Sequence, residues 1–334
     1  MTRRIPGFVP IRRAIAGLAG SLFLALAIAP APAIAQAFPS KPITIVVPVT
    51  AGGPSDLMTR AIAQKLSAEL GTSVVVENRT GAAGLIGLKH VLAQKPDGYT
   101  YVMAGSNVLA AMPHLDPNVG YDVNKDIEPI TLVSKTALIL FQTTQLPSTT
   151  LRELIAYGKE NPGKLTFASA GSASTAHLSG EFLSLVTGVP LTHVPYRGSS
   201  AAMPDLLSGR THIFFDASQT MSFVKDGQLR ALAVNSPRRL AVYPNVPTFA
   251  EAGLPEFTIG LWFALVGPKG IPAPVVDRMN RAMRTALGDP ALVETFMKQG
   301  VELQWTTPAG LWAYKDEQSA KMKQMIVTRN IKAN

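Results

Sequence analysis

Apolar and polar positions switch between two periods along the chain. Residues 43–47, Ile-Thr-Ile-Val-Val, form a β-branched run of strand length. Past a Gly/Pro loop at 48–54, Met58, Ile62, Leu66 and Leu70 recur every fourth residue. That spacing predicts a helix, which Ser55 or Asp56 can cap and Gly71 can end. Val74-Val75-Val76 predicts a second strand, 78–84 a glycine-rich loop, and a helix continues to about Gln94. Pro96-Asp97-Gly98 turns the chain into a third strand over 100–104. The order βαβαβ predicts a mostly parallel, doubly wound sheet.

A second set follows. Residues 137–141 predict a strand, and Thr150 with Glu153 has capping-box spacing for a helix ending near Asn161-Pro162-Gly163. Strands are predicted over 165–169, 191–196, 213–215 and 231–234, with helices over 176–187 and 201–208. A proline-rich stretch at 237–255 leads to a strand over 261–266. The helix at 274–287 puts Val276, Met279, Met283 and Ala286 on one face. Residues 290–300, and those from Gly310 on, make a helical C-terminus. The pattern alone leaves open whether the two α/β units are independent domains or two lobes with the tail returning to the first.

The N-terminus reads as an address. Arg3, Arg4, Arg12 and Arg13 precede an uncharged apolar run at 14–29, then small residues and prolines ending in Ala33-Ile34-Ala35. This is the layout of a secretory signal peptide over 1–35. The run is shorter than the ~20 residues that span a bilayer. The rest is expected to be an exported, soluble protein in the periplasm. Of the 334 residues, 47% are hydrophobic and 16% charged, which excludes intrinsic disorder. With no cysteine, disulfides, thiolate metal sites, a lipid-anchored cysteine and thiol nucleophiles are all excluded. The formal charge of +9 falls to +5 without the four leader arginines, so a nucleic-acid partner is not expected.

In open parallel sheets, ligands bind beyond the carboxyl ends of strands. In the first unit those positions hold Thr50, Ala51, Gly52, Gly53, Ser55 and Asp56, then Gly81 and Ala82, then Ser106 and Asn107. In the second unit they hold Ser169, Gly171, Ser172 and Thr175, then Tyr196, Arg197, Gly198 and Ser199, then the loop from Asp216 to Gln219. Glycine lets backbone N–H groups approach a ligand, helix N-termini favour negative charge, and hydroxyls add adjustable donors. Any one such loop is ordinary turn chemistry. Their recurrence at strand ends in both units points to an anion.

Enzyme motifs are missing. Gly81, Gly84 and Gly87 have G-x-x-G-x-x-G spacing, not the dinucleotide fingerprint, and there is no phosphate loop, which excludes an ATPase subunit. Ser172 and Ser174 lie near His177, but G-x-S-x-G is absent, and His177 is expected to point along its helix. His90, His114, His177, His193 and His212 show no H-E-x-x-H spacing, so neither a metal nor a cofactor is expected. Arg278, Arg281 and Arg284 read as a solvated helix face, and Trp262, Trp305 and Trp312 as packing residues.

Motifs along the chain carry a resemblance. They are Lys41-Pro-Ile-Thr-Ile-Val-Val-Pro48, Ala51-Gly-Gly53 with Asp56, Val75-Val-Glu-Asn-Arg79 with Gly81-Ala-Ala-Gly84, and Pro96-Asp-Gly-Tyr-Thr100. They continue with Pro162-Gly-Lys-Leu-Thr-Phe-Ala-Ser169, His177-Leu-Ser-Gly-Glu181, His193-Val-Pro-Tyr-Arg-Gly-Ser199, Leu229-Arg-Ala-Leu-Ala-Val234 and Pro247-Thr-Phe-Ala-Glu-Ala-Gly253. Almost end to end, the mature chain resembles the Bug-type extracytoplasmic solute receptors of tripartite tricarboxylate transporters. The resemblance implies an α/β, two-lobed periplasmic-binding-protein fold of type II-like form, its two mostly parallel sheets joined by hinge crossovers. It implies a first lobe of residues 36–137 plus 250–334 and a second of 138–249, with the return crossing within 240–260. It also implies a small carboxylate held between the lobes, membrane permease subunits as partners and ion-coupled transport, and a monomer is the default expectation for such a shuttle. One carboxylate is expected on the loop from Thr50 to Ser55. Second-lobe contacts map to 169–175, 196–199 and the neighbourhood of Asp216.

Two departures bear on the ligand. Val49-Thr50-Ala51 stands where the family often has an aromatic residue followed by Ala-Pro, and Ala173-Ser174-Thr175 replaces a commoner Gly-Thr-Ser. The opened space predicts a ligand bulkier than a four-carbon dicarboxylate, longer-chain or aromatic. The alternatives are a receptor that presents its ligand to a membrane signalling protein and, more remotely, a serine hydrolase using Ser172 or Ser174.

Overall fold

Strand order explains how the chain uses its two sheets. The computed structural model describes residues 1–2, 38–217 and 220–331. The leader expected over 1–35 lies, beyond its first two residues, outside the described residues, as do Ser218 and Gln219. From Phe38 on, the chain forms one compact unit.

The first sheet begins with β1 (Ile43–Val47), helix α1 (Pro54–Leu70), β2 (Val74–Asn78), α2 (Leu85–Leu92) and β3 (Thr100–Gly105). β1 pairs in parallel with both β2 and β3, so the connections are helical crossovers. α1 buries Met58, Ile62, Leu66 and Leu70, the predicted face, and Gly71 ends it at φ 67. Its N-cap is Gly53, not Ser55 or Asp56. Pro54 takes the first helical position, where a missing N–H costs nothing.

β4 (Ile127–Thr136) was not foreseen: Pro129 and the fully buried Thr131 and Ser134 break its apolar pattern. Pro129 is tolerated because β11 (Val301–Leu303) pairs only with 134–136, and β10 (Leu261–Pro268) shifts register between Leu265 and Val266. After Ala137 and Leu138 the chain enters the second sheet. There follow β5 (Ile139–Thr143), α3 (Leu151–Glu160), β6 (Thr166–Ser169), α4 (Thr175–Thr187), β7 (Thr192–Pro195), α5 (Ser199–Leu207), β8 (Ile213–Asp216) and β9 (Leu229–Val234). Thr150 caps α3 as expected, but Glu153 reaches back one residue further, to the N–H of Thr149 at 2.7 Å. β10 then returns to the first sheet, followed by α6 (Ala273–Leu287), α7 (Pro290–Met297), β11 and α8 (Pro308–Arg329).

The orders are β11-β4-β10-β3-β1-β2 and β7-β6-β8-β5-β9. Parallel pairing is confined to β1–β3 and to β6–β8, so the sheets are mixed, not mostly parallel. β10 and β5 are reversed because each arrives from the other sheet at the carboxyl edge of the parallel strands and must run away from it.

Apolar packing follows the sheets. Phe141, Phe167, Phe214 and Phe215 centre the core of the second, which also takes in Val246, Phe249 and Leu254 from the proline-rich stretch and Phe257 just beyond it. One face of the first sheet packs Ile43 and Ile45 against Met279 and Met283 of α6. The other packs Val46, Val102 and Ala104 with Leu311 and Met322 of α8. That cluster also includes Ala173 and Leu178, because α8 packs on α4. Burial of each large apolar side chain is worth ~1.5–3 kcal/mol.

Candidate ligand-binding site

Strand pairing locates the candidate loops. Gly105, the last residue of β3, pairs with Phe263 near the start of β10, and Thr136 pairs with Leu261. Asp216, the last residue of β8, pairs with Ile139, the first of β5. Both crossings between the sheets, at 137–138 and 235–260, therefore leave from the edge that carries the candidate loops. Asn235 ties the crossings together. Its N–H donates to the Leu138 carbonyl at 2.7 Å, and its side-chain amide donates to the Ile259 carbonyl.

In the first sheet, a turn closes with the Gly53 N–H on the Thr50 carbonyl at 3.3 Å, and Gly52 adopts φ +80. Thr50, Ala51 and Gly52 are exposed. Asp56, expected to face ligand, is only 1% exposed. Its Oδ2 accepts from the Gly52 N–H and from Arg60 Nε, both at 2.9 Å, and its Oδ1 accepts from Asn78 Nδ2 at 2.9 Å. Arg60 also donates to Asn78 Oδ1 at 2.8 Å. Burial pushes the Asp56 carboxyl up, but the Arg60, Gly52 and Asn78 bonds outweigh it and hold it at about 2. Asp56 is thus an ionised bolt joining the loops after β1 and β2, with both oxygens engaged.

Gly81, Ala82, Ala83 and Gly84 all have positive φ. For the two alanines this is strained backbone. Asn107, expected as a ligand contact, donates instead to the Ala83 carbonyl and so pins the strained loop to the end of β3. Ser106 is buried, and its hydroxyl has no hydrogen-bond partner. Gly81 and Ala82 are exposed.

In the second sheet the loop after β6 is built without an ionised bolt. Ser169 is fully buried, its hydroxyl bonded to the Gly171 N–H at 3.1 Å and to His193 Nε2 at 2.6 Å. Gly171 has φ +123, Ala173 φ +61, and the Ala173 N–H donates to His177 Nδ1 at 3.0 Å. Ser174 caps α4 by accepting the His177 N–H at 3.3 Å. A Cβ at Gly171 would lie 3.4 Å from the Tyr196 carbonyl, so the loops after β6 and β7 adjoin. Tyr196 donates its hydroxyl to Asp205 at 2.7 Å, and burial and that carboxylate push it up to about 12. Arg197 is exposed at the entry to α5. Asp216 accepts from Thr220 at 2.7 Å and Ser199 at 3.3 Å, and burial raises its carboxyl above the ordinary range.

The exposed or half-buried candidates are therefore Thr50, Ala51, Gly52, Gly53, Ser55, Gly81, Ala82, Asn107, Gly171, Ser172, Thr175, Tyr196, Arg197, Gly198 and Ser199. Asp56, Ser106, Ser169 and Asp216 are buried behind them, and three of these four are engaged in holding the loops or helix ends. Sequence reasoning missed Arg60, Asn78, His177 and His193, which shape the loops. His177 lies along its helix as expected, accepting the Ala173 N–H one turn back and facing Glu181 one turn on. Among the described residues, no cluster of metal-ligating side chains occurs, and no helix is long and apolar enough to cross a membrane.

This frame, two mixed α/β sheets with glycine-rich loops gathered at their crossings, is that of a binding protein. The family model for the tripartite tricarboxylate transporter family receptor matches residues 58–331, and the chain belongs to that family. BugT of Bordetella pertussis is 38% identical over 289 residues, 86% of this chain and 89% of that protein. The solved periplasmic binding protein BugD aligns with a TM-score of 0.78 and 33% identity, over 88% of this chain and 99% of BugD. An R. palustris protein solved with adipate aligns with a TM-score of 0.81 and 31% identity, over 88% of this chain and 99% of that one. The family is one of periplasmic solute receptors for these transporters, not of enzymes.

Proposed function

We propose that this receptor captures a small organic carboxylate between its lobes and delivers it to the permease subunits of its transporter. The observation that carries this is that two sets of exposed glycine-rich loops lie at the sheet edges from which both crossings leave. The lobes are residues 38–137 with 258–331, and 138–257, because Leu254 and Phe257 pack with the second sheet. At the first turn of α1, Pro54 has no N–H and the Leu57 N–H donates to the Gly53 carbonyl at 3.0 Å, which leaves those of Ser55 and Asp56 for one carboxylate. Thr50, Ala51 and Gly81 border that position, and Ser172, Thr175, Arg197 and Ser199 approach from the second lobe. Closure favours the ligand-bound state because only then do both lobes contact the ligand.

A longer dicarboxylate is the favoured ligand class. The lack of an aromatic side chain at Val49-Thr50 supports this, as does the adipate with which a similar protein was solved. Export through a cleaved leader at 1–35 and action as a monomer complete the reading. A thermal-shift screen of residues 36–334 against mono-, di- and tricarboxylates, amino acids and aromatic acids tests it. Ligand at a hundred times Kd stabilises by ~2.7 kcal/mol. A shift with adipate or a longer diacid is expected. Best affinity for succinate or malate overturns the length assignment, and no shift with any carboxylate overturns the ligand class.

A further inference from the structure

The loop at 169–175 presents an unusual problem of support. Ala173 holds a left-handed backbone that alanine disfavours, and Gly171 lies at φ +123. Within the loop, one backbone bond closes a turn, Ser174 N–H to the Gly171 carbonyl at 3.2 Å. Two other N–H groups are held by side chains. Gly171 donates to Ser169 Oγ, which contacts His193 Nε2, and Ala173 donates to His177 Nδ1. The two imidazoles are stacked, ring centroids 3.9 Å apart and planes 17° from parallel, with the Phe167 ring 4.9 Å beyond His193. The ring pair comes from α4 and β7, and it braces one loop at two points.

We infer that His177 and His193 are positioning residues for the ligand loop at 169–175, holding its shape through uncharged rings, His177 as a hydrogen-bond acceptor. This rests on the reading of that loop as part of the carboxylate site. The acceptor role fixes the tautomer: Nδ1 of His177 carries no proton, and Nε2 carries it, facing Glu181 Oε1 at 3.9 Å. A proton added to Nδ1 removes the acceptor and turns the Ala173 N–H against a donor. It also places a charge against a second imidazole and a phenyl ring.

The surroundings offer that charge little. α4 supplies Glu181 and β7 supplies His193. β6 has no ionisable side chain, and the only one on β8 is Asp216, bonded to Thr220 and Ser199. α8, packed on α4, brings the buried Lys315, already bonded to Asn124 and Asp316, while Asp316, Glu317, Lys321 and Lys323 are exposed. Burial holds both histidines down at about 4, and His193 adds to the effect on His177. The rings stay neutral at ordinary pH, and the loop loses its brace only in acid.

The test compares His177→Asn with His177→Leu in the full mature chain. Asparagine places an amide oxygen near the position of Nδ1 and does not titrate; leucine fills space without an acceptor. Two readouts are taken: hydrogen exchange at the Ala173 amide without ligand, and calorimetric Kd for adipate between pH 7 and pH 4. Wild type is expected to protect the Ala173 amide at pH 7 and to lose both protection and affinity towards pH 4. His177→Asn is expected to bind like wild type at pH 7 and to lose less affinity in acid. His177→Leu is expected to exchange quickly and to bind about tenfold more weakly at every pH, with an unchanged circular dichroism spectrum. Equal protection in His177→Leu and wild type overturns the inference, as does His177→Asn behaving like His177→Leu. If wild type fails to bind adipate at pH 7, the longer-diacid assignment is what fails, and the Ala173 exchange alone decides whether His177 positions the loop.

Discussion

The loops after β1 and β6 are alike in composition and opposite in support. Each is short, rich in glycine and hydroxyls, and opens onto a helix N-terminus. The first is bolted by an ionised carboxylate, Asp56, gripped by Arg60, Asn78 and the Gly52 N–H. The second is braced by neutral imidazoles under Ser169 and Ala173. Composition describes what a loop offers a ligand. The polar groups behind it decide what holds it, and over what pH range.

The largest expected effect is on the charged side. Asp56→Ala removes three hydrogen bonds to a buried carboxylate and leaves Arg60 only its bond to Asn78. Hydrogen bonds to charged groups are worth ~1.5–3 kcal/mol each; the bond from the half-exposed Arg60 adds little, and the other two at the lower end give about 3 kcal/mol in all. A lower urea midpoint with an unchanged m-value checks it. An unaltered midpoint means that the bolt contributes nothing to the fold.

Acid separates the two supports next. The Asp56 carboxyl is held at about 2, below its unfolded value near 3.9. Its stabilisation is complete above that unfolded value and is lost only as pH falls towards 2. The histidines have the same sign of linkage in a higher pH window. Their folded values are lowered to about 4 from an unfolded 6.5, so the unfolded chain takes up protons first. Stability is therefore expected to fall as pH drops from about 6.5 to about 4, before the Asp56 bond is touched. Urea melts across that range check it. His177→Asn with the same slope as wild type breaks the contrast between the loops.

Gly52 tests the surface the bolt supports. Its φ of +80 suits glycine, and a Cβ there meets nothing within 4 Å. Gly52→Val therefore acts through backbone strain of ~1–2 kcal/mol and by screening the N–H groups beside it, not through a clash. A tenfold or greater weakening of carboxylate binding is expected by calorimetry, equivalent to ~1.4 kcal/mol. Normal binding by this variant puts the carboxylate elsewhere.

Much of this frame was legible in the residue pattern. β1, the buried face of α1, the glycine end at Gly71 and the strand-helix alternation of the second sheet follow from periodicity and turn chemistry, which act locally. β4 was not legible, because Pro129 and two buried hydroxyl residues disguise a strand whose partners lie far along the chain. The site divides in the same way. Loop positions could be read from strand ends. The bolt needs Asn78 from β2 to meet Asp56 from α1, and the brace needs His193 on β7 to stack on His177 on α4. Such pairings are tertiary, and no spacing in one sequence encodes them.

Asn235 joins the two regions and carries the smallest prediction. It follows β9, where the chain leaves the second sheet, and binds both crossings: its N–H to Leu138, its side chain to Ile259. Gly260 gives that side chain room, since a Cβ there would lie 3.3 Å from its amide nitrogen. Asn235→Ala keeps the backbone bond and frees the return crossing, so the loops of each lobe retain their own supports while the coupling between lobes loosens. Each loop keeps its intrinsic affinity, but closure becomes less favourable by up to about 1 kcal/mol, a weakening of a few-fold in Kd. Calorimetry should show that shift with little change in the ligand-free melting temperature, and small-angle scattering should show a smaller compaction on ligand addition. An unchanged Kd together with unchanged compaction means that the lobes are coupled through the packing of α8 on α4 and not through the crossings.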